Sequence, residues 1–504
     1  MPHYYIKKIL EASVYDIAVE TPIHEAPFLS KRLNNQVYLK REDLQPVFSF
    51  KIRGAYNKIS QITEAEKSKG VIAASAGNHA QGVALAAKKL GIEATIVMPT
   101  TTPDIKVRSC ESRGANVILH GDAFDQALAH ALELVDQHGY TFIHPFDDPD
   151  TIAGQGTIGM EILRQHSKPL DAIFIPVGGG GLAAGIATYI KYLRPDIKVI
   201  GVEYEESACL KAALEADDRV VLPHVGIFAD GVAVAQIGEE TFKLCREYVD
   251  EVITVTADEI CAAIKDIFDD TRSICESAGA IGVAGLKKFV AREAVVDQSL
   301  MAIDSGANIN FDRLRYVSER AEIGEKREAI ISVTIPERPG SFKQFCETLG
   351  HRSITEFNYR FHDPENAHIF VGVQVDPDKL PIDGLVTQLS DKGYPVTDLT
   401  DNEMAKLHVR HMVGGHSQSV ENEVLYCFEF PERPGALLNF LNKLGDRWNI
   451  SMFHYRNHGA AYGRVAVGLD VPENERQNVH GFLDEIGYHY CEETDNQAYK
   501  MFLG

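Results

Sequence analysis

The sequence contains little that would cross-link it or export it. Its 504 residues include one tryptophan and eight cysteines, and no two cysteines form a C-x-x-C pair. Scattered thiols of this kind are typical of a reducing compartment, so we expect neither a disulfide framework nor a zinc site. An N-terminal apolar run followed by small residues is also missing, so we expect a cytoplasmic protein without a signal peptide.

Positive charge and long apolar runs are scarce as well. Lys and Arg total 50 against 72 for Asp and Glu, which gives a formal net charge of -22. A chain this acidic repels phosphate backbones, which argues against nucleic acid as a general partner. The uncharged stretch 71–87 is interrupted by the polar residues Ser75, Asn78, His79 and Gln81. The sequence therefore predicts no membrane span.

What the sequence does have is an alternation of strand and helix patterns from residue 71 onward. The apolar runs that predict buried strands are 71–74, 94–98, 116–119, 172–177, 199–203 and 302–304. The segments with helical periodicity between the first of these are 79–90, 104–113 and 122–138. Gly91, Gly114 and Gly139 follow these helices, where a C-terminal cap needs a positive φ. The pattern predicts an α/β fold with a mainly parallel, covered sheet.

The last third of the sequence is duplicated. The pentapeptide PERPG begins at Pro336 and again at Pro431, and the related segments ITEFNYR and ISMFHYR end at Arg360 and Arg456. Each copy has the order strand, turn, helix, two strands, helix, strand, which is typical of a ferredoxin-like βαββαβ unit. After a charged linker near residue 320, we therefore expect three domains, at 1–320, 329–400 and 424–504.

Three segments of the first part have the composition of a ligand site. SFKIRGA (49–55) places Lys51 among apolar neighbours, where desolvation lowers the pKa of an amine; the alternative is an ordinary solvated lysine. SAGNH (75–79) joins a strand to a helix N-terminus that can bind an anion, or it is a simple helix cap. The run VGGGGLAAG (177–185) is suited to a phosphate, since four successive glycines bring backbone N–H groups close to a ligand.

The glycine run also supports a different class of enzyme. Gly179, Gly181 and Ala184 fit the dinucleotide fingerprint G-x-G-x-x-G/A, and Glu203 follows at about the position of a ribose-binding acid. A nicotinamide or flavin enzyme therefore stays open from this segment alone, although it leaves the other two segments unexplained.

Taken together and in this order, the three segments resemble pyridoxal-phosphate enzymes of the tryptophan-synthase-like fold (fold type II), in the serine/threonine dehydratase family. The resemblance covers about residues 5–320 and extends to a fourth segment, DSGAN (304–308). With its duplicated tail, the whole chain is similar to the biosynthetic threonine deaminases of that family. The resemblance implies deamination of threonine to 2-oxobutanoate and ammonia, with serine as a poorer substrate.

The resemblance also implies a role for each matching residue. Lys51 is implied to bind the cofactor aldehyde and to move the Cα proton, and Ser305 to hydrogen-bond the pyridine nitrogen. The residues implied to hold the rest of the cofactor are Asn78, Gly178, Gly179, Gly180, Gly181 and Leu182. The residues implied to hold the substrate carboxylate are Ser75, Ala76, Gly77 and His79.

Two positions depart from the pattern of relatives in the family. Ala76 stands where serine racemases have a second catalytic serine, so racemisation is expected to be weak or absent. Cys209 stands where the cation-binding relatives are expected to have a carboxylate, near Glu203. Because a hard cation prefers oxygen ligands, we predict no metal site.

For the tail, the resemblance implies two ACT-like regulatory units, inhibition by isoleucine, relief by valine, and a homotetramer. The alternative is a pair of packing modules without an effector. The effector residues proposed because they recur in both copies are Arg338, Tyr359, Arg433 and Tyr455. Another fold-type-II enzyme, such as a serine dehydratase or a threonine synthase, and a non-catalytic amino-acid sensor also stay open.

Overall fold

The protein is described by a computed structural model covering residues 2–503 except 378, 413, 416, 418–419, 421, 432–435, 445–446 and 457–461. The chain divides into two compact units, Met1–Ala321 and Glu322–Gly504. The three-domain division expected from the sequence stays a prediction. Within the described residues, no helix is long and apolar enough to cross a membrane.

The first unit alternates helices and strands. Its helices are α1 (Pro2–Leu10), α2 (Pro27–Leu33), α3 (Lys51–Ser60), α4 (Glu64–Lys67), α5 (Asn78–Leu90), α6 (Asp104–Ser112), α7 (Phe124–His138), α8 (Pro149–Gln165), α9 (Gly181–Leu193), α10 (Cys209–Ala216), α11 (Glu239–Tyr248), α12 (Ala257–Thr271), α13 (Ser277–Glu293) and α14 (Arg313–Gly324), which contains the unit boundary. Its strands are β1 (Ile23–Glu25), β2 (Gln36–Arg41), β3 (Val71–Ala74), β4 (Ala94–Met98), β5 (Asn116–Leu119), β6 (Thr141–Phe142), β7 (Ala172–Pro176), β8 (Lys198–Tyr204), β9 (Glu251–Val255) and β10 (Ser299–Asp304).

These strands form two sheets. One has the order β1-β2-β10-β7-β8-β9, with only β1 antiparallel, and the other has the order β5-β4-β3-β6 and is all parallel. Every residue of β3, β4, β7 and β10 is buried. Helices therefore cover both faces at these strands, and the predicted α/β class with mostly parallel sheets is confirmed. Gly91 and Gly139 end α5 and α7 with φ of 70° each, as the capping argument requires.

A buried cluster of four charges joins β2, α3 and α8. Arg53 of α3 contacts Glu42 at 2.7 Å and Glu161 of α8 at 2.5 Å, and Lys40 of β2 contacts Glu161 at 2.6 Å. All four side chains have 0% exposure. Two cations and two anions cancel in charge, so the cluster tolerates burial only while all its members are present. It fixes the helix that begins at Lys51.

The second unit repeats one supersecondary pattern. Its strands are β11 (Glu328–Pro336), β12 (Ile354–Arg360), β13 (Asn366–Gln374), β14 (Val396–Asp398), β15 (Glu423–Pro431), β16 (Asn449–Arg456), β17 (Tyr462–Asp470) and β18 (His489–Glu492). Its helices are α15 (Ser341–Leu349), α16 (Ile382–Asp391), α17 (Glu403–Leu407), α18 (Ala436–Leu444), α19 (Arg476–Ile486) and α20 (Gln497–Phe502). Both copies follow the predicted βαββαβ order, and α17 and α20 are additions that the pattern did not indicate.

One continuous sheet runs through both copies. Its order over the described residues is β14-β11-β13-β12-β16-β17-β15-β18. The copies meet where β12 pairs antiparallel with β16, with Phe357 opposite Tyr455 and Tyr359 opposite Phe453. Phe357 and Phe453 pack against each other at 5.3 Å between ring centroids and belong to one apolar core that extends through both copies. The two copies therefore share one sheet and one apolar core within one compact unit.

The charge cluster gives a test of what holds α3 in place. Glu161→Ala leaves Arg53 and Lys40 without one shared partner, and we expect a loss of about 3–5 kcal/mol in the free energy of unfolding. The measurement is the denaturation midpoint in urea at an unchanged slope. Asp196→Ala is the control, because it removes the exposed Arg194–Asp196 pair and should cost about 0–1 kcal/mol. Equal losses in the two variants would contradict this role of the cluster.

Candidate active site

A cleft in the first unit brings together residues from four of the predicted segments. It has a volume of about 440 Å³, part of it open to solvent. Its walls are formed by Phe50, Lys51, Asn78, Phe146, Pro176, Gly178, Gly179, Gly180, Gly181, Leu182, Gly231, Val232, Glu276, Ala278 and Ser305. It lies beyond the carboxyl ends of β3, β7 and β10, where open parallel sheets bind ligands.

Lys51 is the first residue of α3 and reaches the cleft through an apolar setting. Its amine donates a hydrogen bond to the carbonyl oxygen of Pro145 at 2.8 Å and lies 5.3 Å from the centre of the Phe50 ring. Burial lowers the pKa of this amine to about 8, against a smaller opposing effect of the Glu276 charge. This setting argues against an ordinary solvated lysine, because part of the amine is neutral near physiological pH.

The glycine run forms the floor of the cleft at the N-terminus of α9. A Cβ on Gly179 would lie 2.2 Å from the Phe146 ring, and Gly180 has a φ of +91°. Neither position accepts another residue without strain. Gly178, Gly179, Gly180, Gly181 and Leu182 line the cleft at the start of α9, where backbone N–H groups and the helix N-terminus suit a phosphate. The loop thus fits the phosphate of the implied cofactor.

Ser305 and Asp304 lie on opposite sides of the end of β10. Ser305 faces the cleft and donates to the carbonyl oxygen of Ala278 at 3.3 Å. Asp304 has 0% exposure and faces Arg41, with its carboxylate 3.5 Å from the guanidinium. Burial and the nearby Asp43 raise the pKa of Asp304 well above its usual range. An extended strand alternates its side chains, so only the hydroxyl is placed to meet a ligand in the cleft.

The SAGNH segment divides between the cleft and its surroundings. Asn78 lines the cleft, whereas Ser75, Ala76 and Gly77 are partly exposed and do not form its wall. The His79 ring is buried against the carbonyl oxygen of Ile143 at 2.7 Å, and burial lowers its pKa to about 3. Its imidazole is therefore a neutral packing group, and only its backbone N–H is left for a substrate carboxylate.

Glu276, which the sequence did not indicate, also lines the cleft. Its carboxylate accepts a hydrogen bond from the Asn78 amide at 2.5 Å. Burial, with the nearby Asp230, raises the pKa of Glu276 to about 7. The only sequence signal was a single acid between Cys275 and Ser277, directly before α13, and such an acid is equally typical of a helix cap. Asn308, in the predicted DSGAN segment, donates to the Asn78 amide oxygen at 2.6 Å.

Glu203, the residue that supported a dinucleotide site, is hydrogen-bonded to backbone groups outside the cleft. The Glu203 carboxylate accepts hydrogen bonds from the backbone N–H groups of Leu210 at 2.8 Å and Lys211 at 2.9 Å, at the start of α10. It does not line the cleft, so it is not placed to meet a ribose there. Cys209 donates from its thiol to the carbonyl oxygen of Gly178 at 3.3 Å. Among the described residues, no group of three His, Cys, Asp or Glu side chains is arranged to hold a metal ion.

A second cavity, of about 280 Å³ including space that is open to solvent, lies between the two copies of the tail. Its lining is Arg338, Pro339, Gly340, Phe342, Lys343, Leu441, Trp448, Asn449 and Ile450. Of the four proposed effector residues, Arg338 lines this cavity. Tyr359 donates to Glu337 beside it, Tyr455 lies on β16 in the core, and Arg433 lies outside the described residues.

Two family profiles cover nearly all of the chain. The profile described as "Pyridoxal-phosphate dependent enzyme" matches residues 14–306. The profile described as "C-terminal regulatory domain of Threonine dehydratase" matches residues 319–409 and again 414–503. The division between a cofactor-binding part and a duplicated regulatory part therefore appears in both the sequence and its relatives.

Individual relatives are similar over the whole length. The biosynthetic L-threonine dehydratase of Burkholderia multivorans is 55% identical and covers 99% of both chains. That of Escherichia coli is 55% identical over 99% of this chain and 97% of its own. Among solved structures, threonine deaminase isoform 2 from Solanum lycopersicum is 50% identical, with a TM-score of 0.63 over 64% of this chain and 88% of that one. The T.th. threonine deaminase is 38% identical, with a TM-score of 0.58 over 61% of this chain and 99% of that one.

These likenesses exclude one of the alternatives that the sequence left open. The cleft fits pyridoxal phosphate, the cofactor that the first profile names, because it offers the Lys51 amine, the Asn78 amide, the glycine loop and the Ser305 hydroxyl. A nicotinamide or flavin enzyme is excluded by the same family membership. The chain belongs to the threonine dehydratases, pyridoxal-phosphate-dependent lyases that carry a C-terminal regulatory domain.

Proposed function

We propose that the protein is a biosynthetic threonine ammonia-lyase that converts L-threonine to 2-oxobutanoate and ammonia, at the entry to isoleucine synthesis. The observation that carries the proposal is the convergence of Lys51, Asn78, the 178–182 loop and Ser305 on one cleft. It is found in a chain 55% identical, end to end, to biosynthetic threonine dehydratases.

Pyridoxal phosphate, when bound, supplies an electron sink for the pair released from Cα. Lys51 supplies the amine that holds the cofactor and then carries the Cα proton. With a pKa of about 8, roughly a tenth of this amine is neutral at pH 7. An ordinary lysine is less than about 0.1% neutral at that pH. Burial therefore raises the neutral fraction of the Lys51 amine at pH 7 by more than about a hundredfold, and both tasks need the neutral amine.

The surrounding residues orient the reactants. The amides of Gly178, Gly179, Gly180, Gly181 and Leu182 hold the phosphate at the N-terminus of α9, where the helix dipole favours an anion. Ser305 offers the ring nitrogen a neutral hydroxyl, which does not force protonation. Asn78 directs an amide N–H into the cleft.

The substrate side of the proposal relies mainly on backbone groups. Ser75, Ala76, Gly77 and His79 hold the substrate carboxylate at the start of α5. Ser75 contributes its hydroxyl, because its backbone N–H donates to the carbonyl oxygen of Val97 at 3.2 Å. A methyl group at Ala76 cannot deliver a proton to the opposite face of Cα. The residues therefore support elimination of the β-hydroxyl and give no means of racemisation.

Other enzymes of the same fold are distinguished by their substrates. A serine dehydratase prefers serine, and a threonine synthase or β-replacement enzyme needs a phosphate-bearing substrate or a second nucleophile. A non-catalytic sensor is opposed by the intact Lys51 in its desolvated setting. Release of 2-oxo acid from threonine alone separates the proposal from the last two classes. A comparison of kcat/KM for threonine and serine separates it from a serine dehydratase.

We further propose that isoleucine inhibits the enzyme and valine relieves that inhibition, through the cavity between the tail copies. The cavity combines the cations Arg338 and Lys343 with the apolar side chains of Phe342, Leu441 and Ile450. A branched-chain amino acid needs both kinds of partner. A homotetramer is proposed from the family resemblance. A cytoplasmic location is proposed because the cysteines, where described, are mostly buried thiols.

Removal of the lysine tests the proposed activity directly. Lys51→Ala should fold but lose the near-visible absorbance of lysine-bound cofactor and all threonine turnover. The measurements are an absorbance spectrum and 2-oxobutanoate release from threonine. Lys58→Ala, on the same helix, is the control and should keep both signals. Turnover in Lys51→Ala comparable with that of the wild type would refute the assignment.

The two neighbouring polar residues at the end of β10 make a second test. Ser305→Ala should weaken cofactor binding and lower activity, because it removes the hydroxyl that faces the cleft. Asp304→Asn should do less, because its side chain faces Arg41 instead. Cofactor affinity by absorbance titration distinguishes them. A larger loss in Asp304→Asn would mean that the two roles must be exchanged.

Regulation is tested by the dependence of the lyase rate on isoleucine concentration. Effectors that favour one of two conformations typically change activity about 5–150-fold, according to their differential affinity. Truncation after Glu319 should keep activity but abolish inhibition, because the cleft and all four cofactor segments lie before that residue. In the full chain, Arg338→Ala should weaken inhibition with little change in basal rate.

Lys392→Ala is the matched control for the effector cavity, since this exposed lysine lies on the same copy but does not line the cavity. It should leave inhibition unchanged. If the full-length enzyme ignores isoleucine, or a soluble truncated form is still inhibited, the tail is a packing module.

A further inference from the structure

Glu276 occupies a fixed position in the cleft wall. Its backbone N–H donates to the carbonyl oxygen of Gly306 at 3.0 Å, directly after Ser305. A Cβ on Gly306 would lie 2.6 Å from the Glu276 carboxylate, so the glycine makes room for it. The side chain is 5% exposed, and its exposed part faces the cleft. A carboxylate is costly to bury in this way unless it has partners.

The first partner of Glu276 is the Asn78 amide. Asn308 donates from one amide nitrogen to both Val47, at 2.8 Å, and Asn78, at 2.6 Å. The Asn78 oxygen therefore accepts from Asn308, and its nitrogen must face Glu276, to which it donates at 2.5 Å. A carboxylate only accepts, so this orientation cannot reverse while Glu276 is ionised. The second N–H of Asn78 is then directed to the cleft.

The second group is the Lys51 amine, which lines the same cleft as Glu276. The Glu276 charge opposes the effect of burial on the pKa of Lys51. The other ionisable groups that act on Glu276 or respond to it are Asp230, Lys106, Asp304 and Cys275. Lys106 is already paired with Asp230 at 2.7 Å. Glu276 is thus the acid of this group that lines the same cleft as the lysine.

We propose that Glu276 is a positioning residue of this site: it orients the Asn78 amide toward the cofactor and holds a negative charge opposite the Lys51 amine. The proposal rests on the proposed function, because it assumes that the cleft binds pyridoxal phosphate. Burial places the pKa of Glu276 at about 7 and that of Lys51 at about 8. Between these values both groups are ionised, and the Glu276 charge favours the ammonium form of Lys51.

The sign of the effect follows from this pairing. An anion at Glu276 favours the ammonium form of Lys51 and so raises the pH at which the amine becomes neutral. The amine must be neutral to capture the cofactor, because its electron pair bonds the aldehyde carbon and the aldehyde oxygen leaves as water. Removing the charge should therefore allow capture at lower pH.

The experiment measures uptake of pyridoxal phosphate by the cofactor-free, full-length protein between about pH 6 and pH 10. Glu276→Gln keeps an acceptor for Asn78 but removes the charge, and we expect the midpoint of uptake to fall by about one pH unit. Glu276→Ala removes both, and we expect the same fall together with at least about tenfold weaker cofactor binding.

Glu203→Gln is the matched control. Glu203 is also a buried acid, and burial raises its pKa to about 7. Its carboxylate accepts a hydrogen bond from the start of α10, and it does not line the cleft. Its replacement should leave the uptake midpoint unchanged. Circular dichroism establishes that each variant is folded, and if Glu276→Ala does not fold, Glu276→Gln alone decides the charge role.

The outcomes separate the two levels of the argument. An unchanged midpoint in Glu276→Gln overturns the charge role, and undiminished affinity in folded Glu276→Ala overturns the orienting role. If the midpoint falls equally in Glu203→Gln, the effect does not depend on the position of Glu276 in the cleft wall, and the charge role is overturned. If the wild-type protein takes up no pyridoxal phosphate at any pH, the proposed function fails, which is a different result from all of these.

Discussion

The position of Lys51 depends on an ionic contact that it does not make itself. Two residues further along α3, Arg53 is held by Glu42 and Glu161 with 0% exposure on all three side chains. Such a cluster is often no more stabilising than apolar residues of the same volume, because desolvation offsets much of the attraction. The cluster does supply orientation, because a guanidinium bound on two sides fixes the rotation of α3 about its axis and its position along that axis. The amine at the helix start is fixed with it.

The same exclusion of water sets the protonation of the cleft. Burial disfavours the charged form of any group, so it lowers the pKa of a lysine and raises that of a glutamic acid. From ordinary values of 10.5 and 4.5, Lys51 and Glu276 move to about 8 and about 7. Two groups that would ordinarily be permanently ionised therefore both titrate near neutral pH. Burial beside apolar side chains such as those of Phe50 and Phe146 is enough to shift both pKa values.

The sequence was most informative where chemistry depends on residue type within a short segment. Lysine between apolar residues, an asparagine at a helix start, four glycines after a strand and a serine after another are each visible locally, and the cleft contains them all. Glu276 and Asn308 matter through partners about 200 residues away, and local patterns do not encode that distance. The setting of the His79 ring was hidden for the same reason, because the ring is bound by Ile143, on a segment that the motif does not include.

The duplicated tail also contains a long-range contact that the local sequence pattern does not predict. The repeat predicted each βαββαβ copy but not that β12 and β16 would pair and make one sheet of the two. Near this seam, Asn449 of the second copy donates to Glu337 of the first at 2.9 Å, and both Asn449 and Arg338 face the cavity region. A one-residue slip between paired strands would exchange their buried and exposed faces, so the register cannot change gradually. A ligand in the proposed effector cavity would contact both copies at once, so it would change activity by favouring one arrangement of the two copies together.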